Sequence, residues 1–125
     1  MSVSYPIQID QGVNFSQTFN IEVLENPDLP YDCVSNPYVA LDMTTYTAAF
    51  QVATYPGAIP VISLTTGSQL HLGVGTIVLT LLPGDTSGIA FSDYLWQGWY
   101  QLEIYQGSTV KRPVSGEFTI TKEMI

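Results

Sequence analysis

Apolar and polar residues alternate with a period of two along most of this chain, the pattern of strands with one face on a core and one in water. Val3, Tyr5, Ile7 and Ile9 alternate with polar positions, and Pro6 restricts that first strand to a sheet edge. After the turn residues Asp10-Gln11-Gly12, the odd positions Val13, Phe15, Phe19, Ile21 and Val23 are apolar and their even neighbours polar. Tyr46, Ala48, Phe50 and Val52 define a further inward face, followed by a turn at Tyr55–Ala58 and an extended return over 60–66. Glycines bracket a short strand at Gln69–Leu72, and the β-branched, apolar run Thr76–Leu82 reads as a central strand. Only Pro83–Ala90 has helical character, with Asp85 or Thr86 available to cap one turn. Residues 98–105 and 109–121 form a final hairpin closed at Gln106-Gly107-Ser108. In its second strand Val110, Val114, Phe118 and Ile120 are expected on one face, with Lys111, Ser115, Glu117 and Thr119 on the other.

Eight or nine evenly spaced strands without a core-length helix predict an all-β fold. The expected architecture is one domain over residues 1–125, an immunoglobulin-like or Greek-key β-sandwich of about 8 short antiparallel strands. Phe15, Phe19, Phe50, Leu79, Tyr100, Leu102 and Phe118 are the expected core. Cys33 is the sole cysteine, so packing alone must hold the sheets, and the thiol is expected as a small buried or half-buried hydrophobe. A proline-rich insertion loop at 25–38 interrupts the pattern. A structureless connection from Asn26 to Tyr38 is long for a compact domain unless something holds or uses it.

Charge narrows the partners. Three Lys and Arg stand against eleven Asp and Glu, a net charge of −8, and Lys111, Arg112 and Lys122 all lie near the C-terminus. Residues 1–110 therefore offer nothing to neutralise phosphates, which disfavours nucleic acid and anionic membranes. With 11% charged residues, the outer faces must be Ser, Thr, Gln, Asn and aromatic, surfaces that desolvate at less cost than charge and suit protein contact. No basic-then-apolar leader opens the chain and no apolar run approaches the ~20 residues of a membrane helix, so synthesis in a cytoplasm without a signal peptide is expected.

Candidate chemistry is sparse. His71 is the single histidine and sits on the polar side of its strand, and no Gly-x-Ser-x-Gly elbow is present. Glu22, Asp42, Asp85, Asp93, Glu103 and Glu117 show no pairing pattern, although Glu103 and Glu117 could approach each other across the last hairpin. Asp28 and Asp32 lack the spacing of a calcium loop. No catalytic, cofactor-binding or metal residue is therefore expected. The candidate contact residues are Asp28, Tyr31, Asp32 and Tyr38 in the loop, and Tyr94, Trp96 and Trp99 in the aromatic cluster Phe91–Tyr100. Tyrosines give rigid anchors with a hydrogen-bonding tip, and the aspartates suit a partner's Arg or Lys.

Six segments taken in order carry a resemblance: Asp10-Gln-Gly-Val-Asn-Phe15, Leu41-Asp-Met-Thr-Thr-Tyr-Thr-Ala48, Gly75-Thr-Ile-Val-Leu79, Asp85-Thr-Ser-Gly-Ile89, Gly98-Trp-Tyr-Gln-Leu-Glu-Ile104 and Gly107-Ser-Thr-Val-Lys-Arg-Pro-Val-Ser-Gly116. The chain resembles a family of small bacteriophage virion proteins, itself similar to the immunoglobulin-like N-terminal domains of phage baseplate upper and tail-fibre attachment proteins. The likeness runs from about residue 7 to 123, with Thr45 where the family usually has glycine and the proline-rich insertion where it has a short hairpin. It implies a non-enzymatic tail, baseplate or fibre-attachment component, without cofactor, contacting other virion proteins in a symmetric multi-copy assembly on the virion. A capsid decoration protein is the alternative within that class. A carbohydrate-binding host-recognition module, using Tyr94, Trp96 and Trp99, is the alternative outside it.

Overall fold

The structure, a computed structural model, describes residues 3–90 and 93–122. Phe91, the first ring of the expected aromatic cluster, lies outside the described residues. The chain is all-β, with eleven strands among the described residues: β1 (Val3–Ser4), β2 (Ile7–Asp10), β3 (Phe15–Asn20), β4 (Glu22–Leu24), β5 (Tyr38–Ala40), β6 (Thr47–Ala53), β7 (Ile62–Thr65), β8 (Leu70–Leu72), β9 (Thr76–Leu81), β10 (Leu95–Gln106) and β11 (Thr109–Thr121). One five-residue helix, α1 (Pro83–Ser87), follows β9; the Asp85 carboxylate caps it from the third helical position by accepting the Leu82 N–H at 2.7 Å.

The six-stranded sheet runs β1-β11-β10-β6-β7, with β2 also on β11, while β3-β9-β8 and β4-β5 form two smaller sheets. Alternation places Ala48, Phe50 and Val52 of β6, Tyr100, Leu102 and Ile104 of β10, and Val114, Phe118 and Ile120 of β11 inward. They meet Ile77, Leu79 and Leu81 of β9, Leu70 and Leu72 of β8 and Phe19 of β3 in one hydrophobic cluster. β9 is the central strand of its sheet, as its composition predicts. Of the expected core, Phe15 alone is only partly buried.

Three rings from neighbouring strands form the middle of that core. The Phe50, Tyr100 and Phe118 centroids lie 5.5, 6.2 and 6.3 Å apart in tilted and edge-on pairs, the arrangement that ring quadrupoles favour. The Tyr100 hydroxyl donates to the Tyr5 carbonyl between β1 and β2, and burial pushes its pKa above the ordinary tyrosine value. Gly116, paired with Tyr100, makes the crossing possible. A Cβ there would stand 2.7 Å from the Tyr5 carbonyl oxygen.

Several expectations need correction. The strands are neither all short nor all antiparallel: β10 and β11 span 12 and 13 residues, and β1 and β2 join β11 in parallel. The expected first strand is split at Tyr5-Pro6, where the backbone crosses Gly116, and Pro6 supplies no N–H. Val110 is exposed rather than inward because β11 bulges: Leu102 faces Val114 but Ile104 faces Lys111, so Arg112 and Pro113 both oppose Glu103. The extra residue reverses the alternation beyond it, and Pro113 sits where the ladder is already broken. Val13 precedes β3 and is exposed, and Cys33 is exposed on the insertion loop. No described helix is long and apolar enough to cross a membrane.

Phe50→Ala should destabilise the fold by ~3–5 kcal/mol in urea unfolding, a cavity-scale loss, with a cost below ~1 kcal/mol contradicting the central ring position. Gly116→Ala should lose ~1–3 kcal/mol through overpacking against Tyr5.

Candidate functional site

The 25–38 segment is ordered from within, which corrects the expectation of a structureless connection. Glu25 N–H donates to the Pro37 carbonyl at the loop base, and Asp32 and Asn36 exchange both backbone hydrogen bonds near its apex. Asn36, only 2% exposed, is the hub. Its Nδ2 donates to the carbonyls of Asn26, Leu29 and Pro30 at 2.9–3.0 Å, while its Oδ1 accepts the Asn26 N–H at 2.8 Å. One carboxamide thereby satisfies four backbone groups that water would otherwise hold, and the outer side chains are displayed on a fixed backbone.

The structure brings Tyr31 and Tyr38 together. Their rings stack with centroids 5.0 Å apart and planes at 21°, and both are more than half exposed. Asp32 is not a free pairing group: its Oδ1 accepts the N–H groups of Val34 and Ser35 at 2.9 and 3.1 Å. Those bonds, Ser35 first, hold its carboxyl below the usual aspartate range. Asp28 is exposed beside the turn, its N–H bonded to Asn26 Oδ1.

Tyr38 also lines a groove of about 890 Å³ between the β4–β5 ribbon and the bulged hairpin. Ile21, Val23 and Leu41 form its apolar side, Ile104, Val110 and Pro113 face them, and Glu22, Lys111 and Arg112 supply charge. All three residues of β5 are exposed although β5 is paired with β4. Two of the chain's three cations therefore stand beside the displayed loop, a placement created by the bulge.

The aromatic cluster does not form one surface. Trp96 turns inward and packs against the core, and its ring crosses Gly98, where a Cβ would strike both that ring and the Ala53 carbonyl. Trp99 and Tyr94 are exposed, Trp99 on the outer face of the six-stranded sheet and Tyr94 just before β10. Positions 96 and 99 of β10 fall on opposite faces of the strand, so of the three candidate contact residues here only Tyr94 and Trp99 are exposed, which corrects the expectation for Trp96.

Several carboxylates hold structure. Asp42 accepts from the Thr44 hydroxyl and N–H, and Asp85 from Leu82 N–H and Gln69 Nε2. Glu103 accepts the Tyr105 hydroxyl at 2.6 Å and pairs with Arg112 across the bulge; these partners, Tyr105 first, hold its carboxyl below the usual range. Glu117 instead faces Trp99, so the expected approach of Glu103 and Glu117 is not a directly opposed pair. His71 is exposed on β8, and no three metal-ligating side chains gather among the described residues. No family model and no curated protein matches the chain.

Asn36, Gly98 and the groove's Lys111–Arg112 pair were missed by pattern reading. The twin Asn-Pro dipeptides, Asn26-Pro27 and Asn36-Pro37, mark both ends of the loop and were the available signal for the hub.

Asn36→Ala should weaken the loop by ~1–3 kcal/mol, and Asn36→Asp by a similar amount, since a carboxylate cannot donate to three carbonyls. Limited proteolysis between 26 and 36, with a core little changed in near-ultraviolet dichroism, checks this. The Val34 and Ser35 amides should titrate in NMR with a midpoint below aspartate's ordinary ~3.9. The folded-state value is depressed, so the Asp32 turn contributes stability above the ordinary range and loses it as pH falls through that depressed value.

Proposed function

We propose that this chain is a non-enzymatic structural component of a bacteriophage virion, a tail, baseplate or fibre-attachment part whose contact surface is the 25–38 loop and the groove beside it. The fold proposed with it is an immunoglobulin-like Greek-key sandwich. Two sheets contributing to one core, and a long terminal hairpin at the centre of the larger sheet, support that architecture. The ordered resemblance of six segments supports the virion assignment.

The observation that carries a contact role is the internal order of the loop. A buried asparagine holds residues whose side chains nearly all face outward, including two stacked tyrosines. Preordering removes entropy that a partner would otherwise have to oppose on binding. Carboxylates committed to turns and to Arg112 fit a structural part better than acid–base chemistry. The partner is another virion protein, docking through a contact above ~1,000 Å² of total buried surface.

Cryo-electron microscopy and quantitative mass spectrometry of purified particles test the assignment. Copies in multiples of three or six on the tail are expected; hundreds of copies on the capsid would replace it with decoration, and absence from particles would remove it. Joint substitution Tyr31→Ala and Tyr38→Ala should lower incorporation by about tenfold or more, with little change in thermal midpoint, because both rings are exposed and lie outside the core.

A further inference from the structure

The outer face of the six-stranded sheet carries a row of uncharged hydrogen-bonding side chains. Ser63 stands opposite Gln51, Gln51 opposite Gln101, and Gln101 opposite Ser115. In the adjacent row Trp99 lies between Ala53 and Glu117. Beyond β6 the Tyr55–Ala58 turn, closed by the Ala58 N–H on the Tyr55 carbonyl at 3.0 Å, rises beside this face. The turn and the sheet enclose a hollow of about 440 Å³ lined by Gln51, Tyr55, Trp99, Gln101 and Ser115 among others, with no charged residue in its lining. That volume falls in the range of small-molecule sites, and its mixture of apolar walls with a few polar groups is their usual chemistry.

We propose that this hollow is a binding site for a neutral sugar, with a pyranose ring stacked on Trp99, Tyr55 as the second wall, and the Gln51 and Gln101 carboxamides reading its hydroxyls. Trp99 is 45% exposed and Tyr55 62% exposed, so both offer uncovered ring area. A pyranose presents a face of C–H groups, weakly positive, which suits the negative face of an indole. Its hydroxyls each donate and accept, and a carboxamide does both, whereas a carboxylate only accepts and an ammonium only donates. The Gln51 side chain has no partner among the described residues, and Gln101 hydrogen-bonds only its neighbour Glu103. A hollow without charge, in a chain of net charge −8, disfavours anionic ligands and offers nothing to a cation beyond ring faces. On the other side of Trp99 a second hollow of about 290 Å³ is lined by Thr54, Gln97, Glu117 and Thr119, giving an oligosaccharide room to continue past the ring.

The site differs from the patch expected from sequence, because Trp96 is turned into the core and Tyr94 does not line this hollow. It is also independent of the assembly reading, whose residues lie on the insertion loop and its groove.

The test uses the full chain, ¹⁵N-labelled, against neutral oligosaccharides of gluco-, galacto-, manno- and N-acetylhexosamine type, with N-acetylneuraminic acid as charged control. The Trp99 indole N–H resonance should shift saturably with at least one neutral class, while that of Trp96 serves as the internal reference. Trp99→Ala should weaken binding by about tenfold or more, and Gln51→Ala should also weaken it, with thermal midpoints near that of the parent because both side chains are on the outer face. No saturable Trp99 shift with any neutral class overturns the proposal, as does a preference for the charged sugar or full binding by Trp99→Ala.

Discussion

The contact of Phe50, Tyr100 and Phe118 is the interaction on which the rest of this fold depends. The three rings come from β6, β10 and β11, and together they fix the relative register of the sheet's central strands. With no intrachain disulfide possible in a chain of one cysteine, that packing stands where a covalent link between the sheets would. It also sets the position of the N-terminal segment. The Tyr100 hydroxyl must find a partner once its ring is buried, and Gly116 leaves the space in which the Tyr5 backbone meets it. The parallel strands at the sheet edge follow from that junction.

Scarcity of cations shapes the surface. Glu103 takes Arg112, while Asp32, Asp42 and Asp85 are satisfied by backbone N–H groups, hydroxyls and a carboxamide. Acidic side chains thus close turns and cap a helix, where an N–H donor substitutes for a counter-charge. Around the hollow on the outer sheet face, what remains for recognition is uncharged: tyrosine and tryptophan rings, amides and hydroxyls. Such a surface binds by shape and stacking, and its contacts are little screened by salt.

The two presented regions are built by different means. The insertion loop is held by a single buried asparagine that converts fourteen residues of awkward composition, 25–38, into an ordered platform. The outer sheet face needs no such hub, because cross-strand register alone lines up Ser63, Gln51, Gln101 and Ser115. Side chains on a hydrogen-bonded sheet are positioned by the backbone ladder, whereas side chains on a loop must be positioned by other side chains.

The sequence by itself determined the all-β class, the inward face of β6, the core positions Leu79, Tyr100 and Leu102, the turn at Tyr55–Ala58 and the final hairpin, because period-two alternation and turn residues are local signals. Its prolines and turn residues located the insertion, and its aromatic content nominated Tyr31, Tyr38, Tyr94, Trp96 and Trp99 for contact, of which Trp96 packs against the core instead. Tertiary structure alone decided the parallel pairing of β1 and β2, which depends on residues more than a hundred positions apart meeting at Gly116. It decided the bulge at Arg112-Pro113, which inverts Val110 and Lys111 relative to simple alternation. It decided that Asn36 is buried and Cys33 exposed, since the loop folds back onto an amide rather than onto a thiol. And it brought Tyr55 beside Gln101, because a pocket between a turn and a sheet exists only once the strands between them have paired.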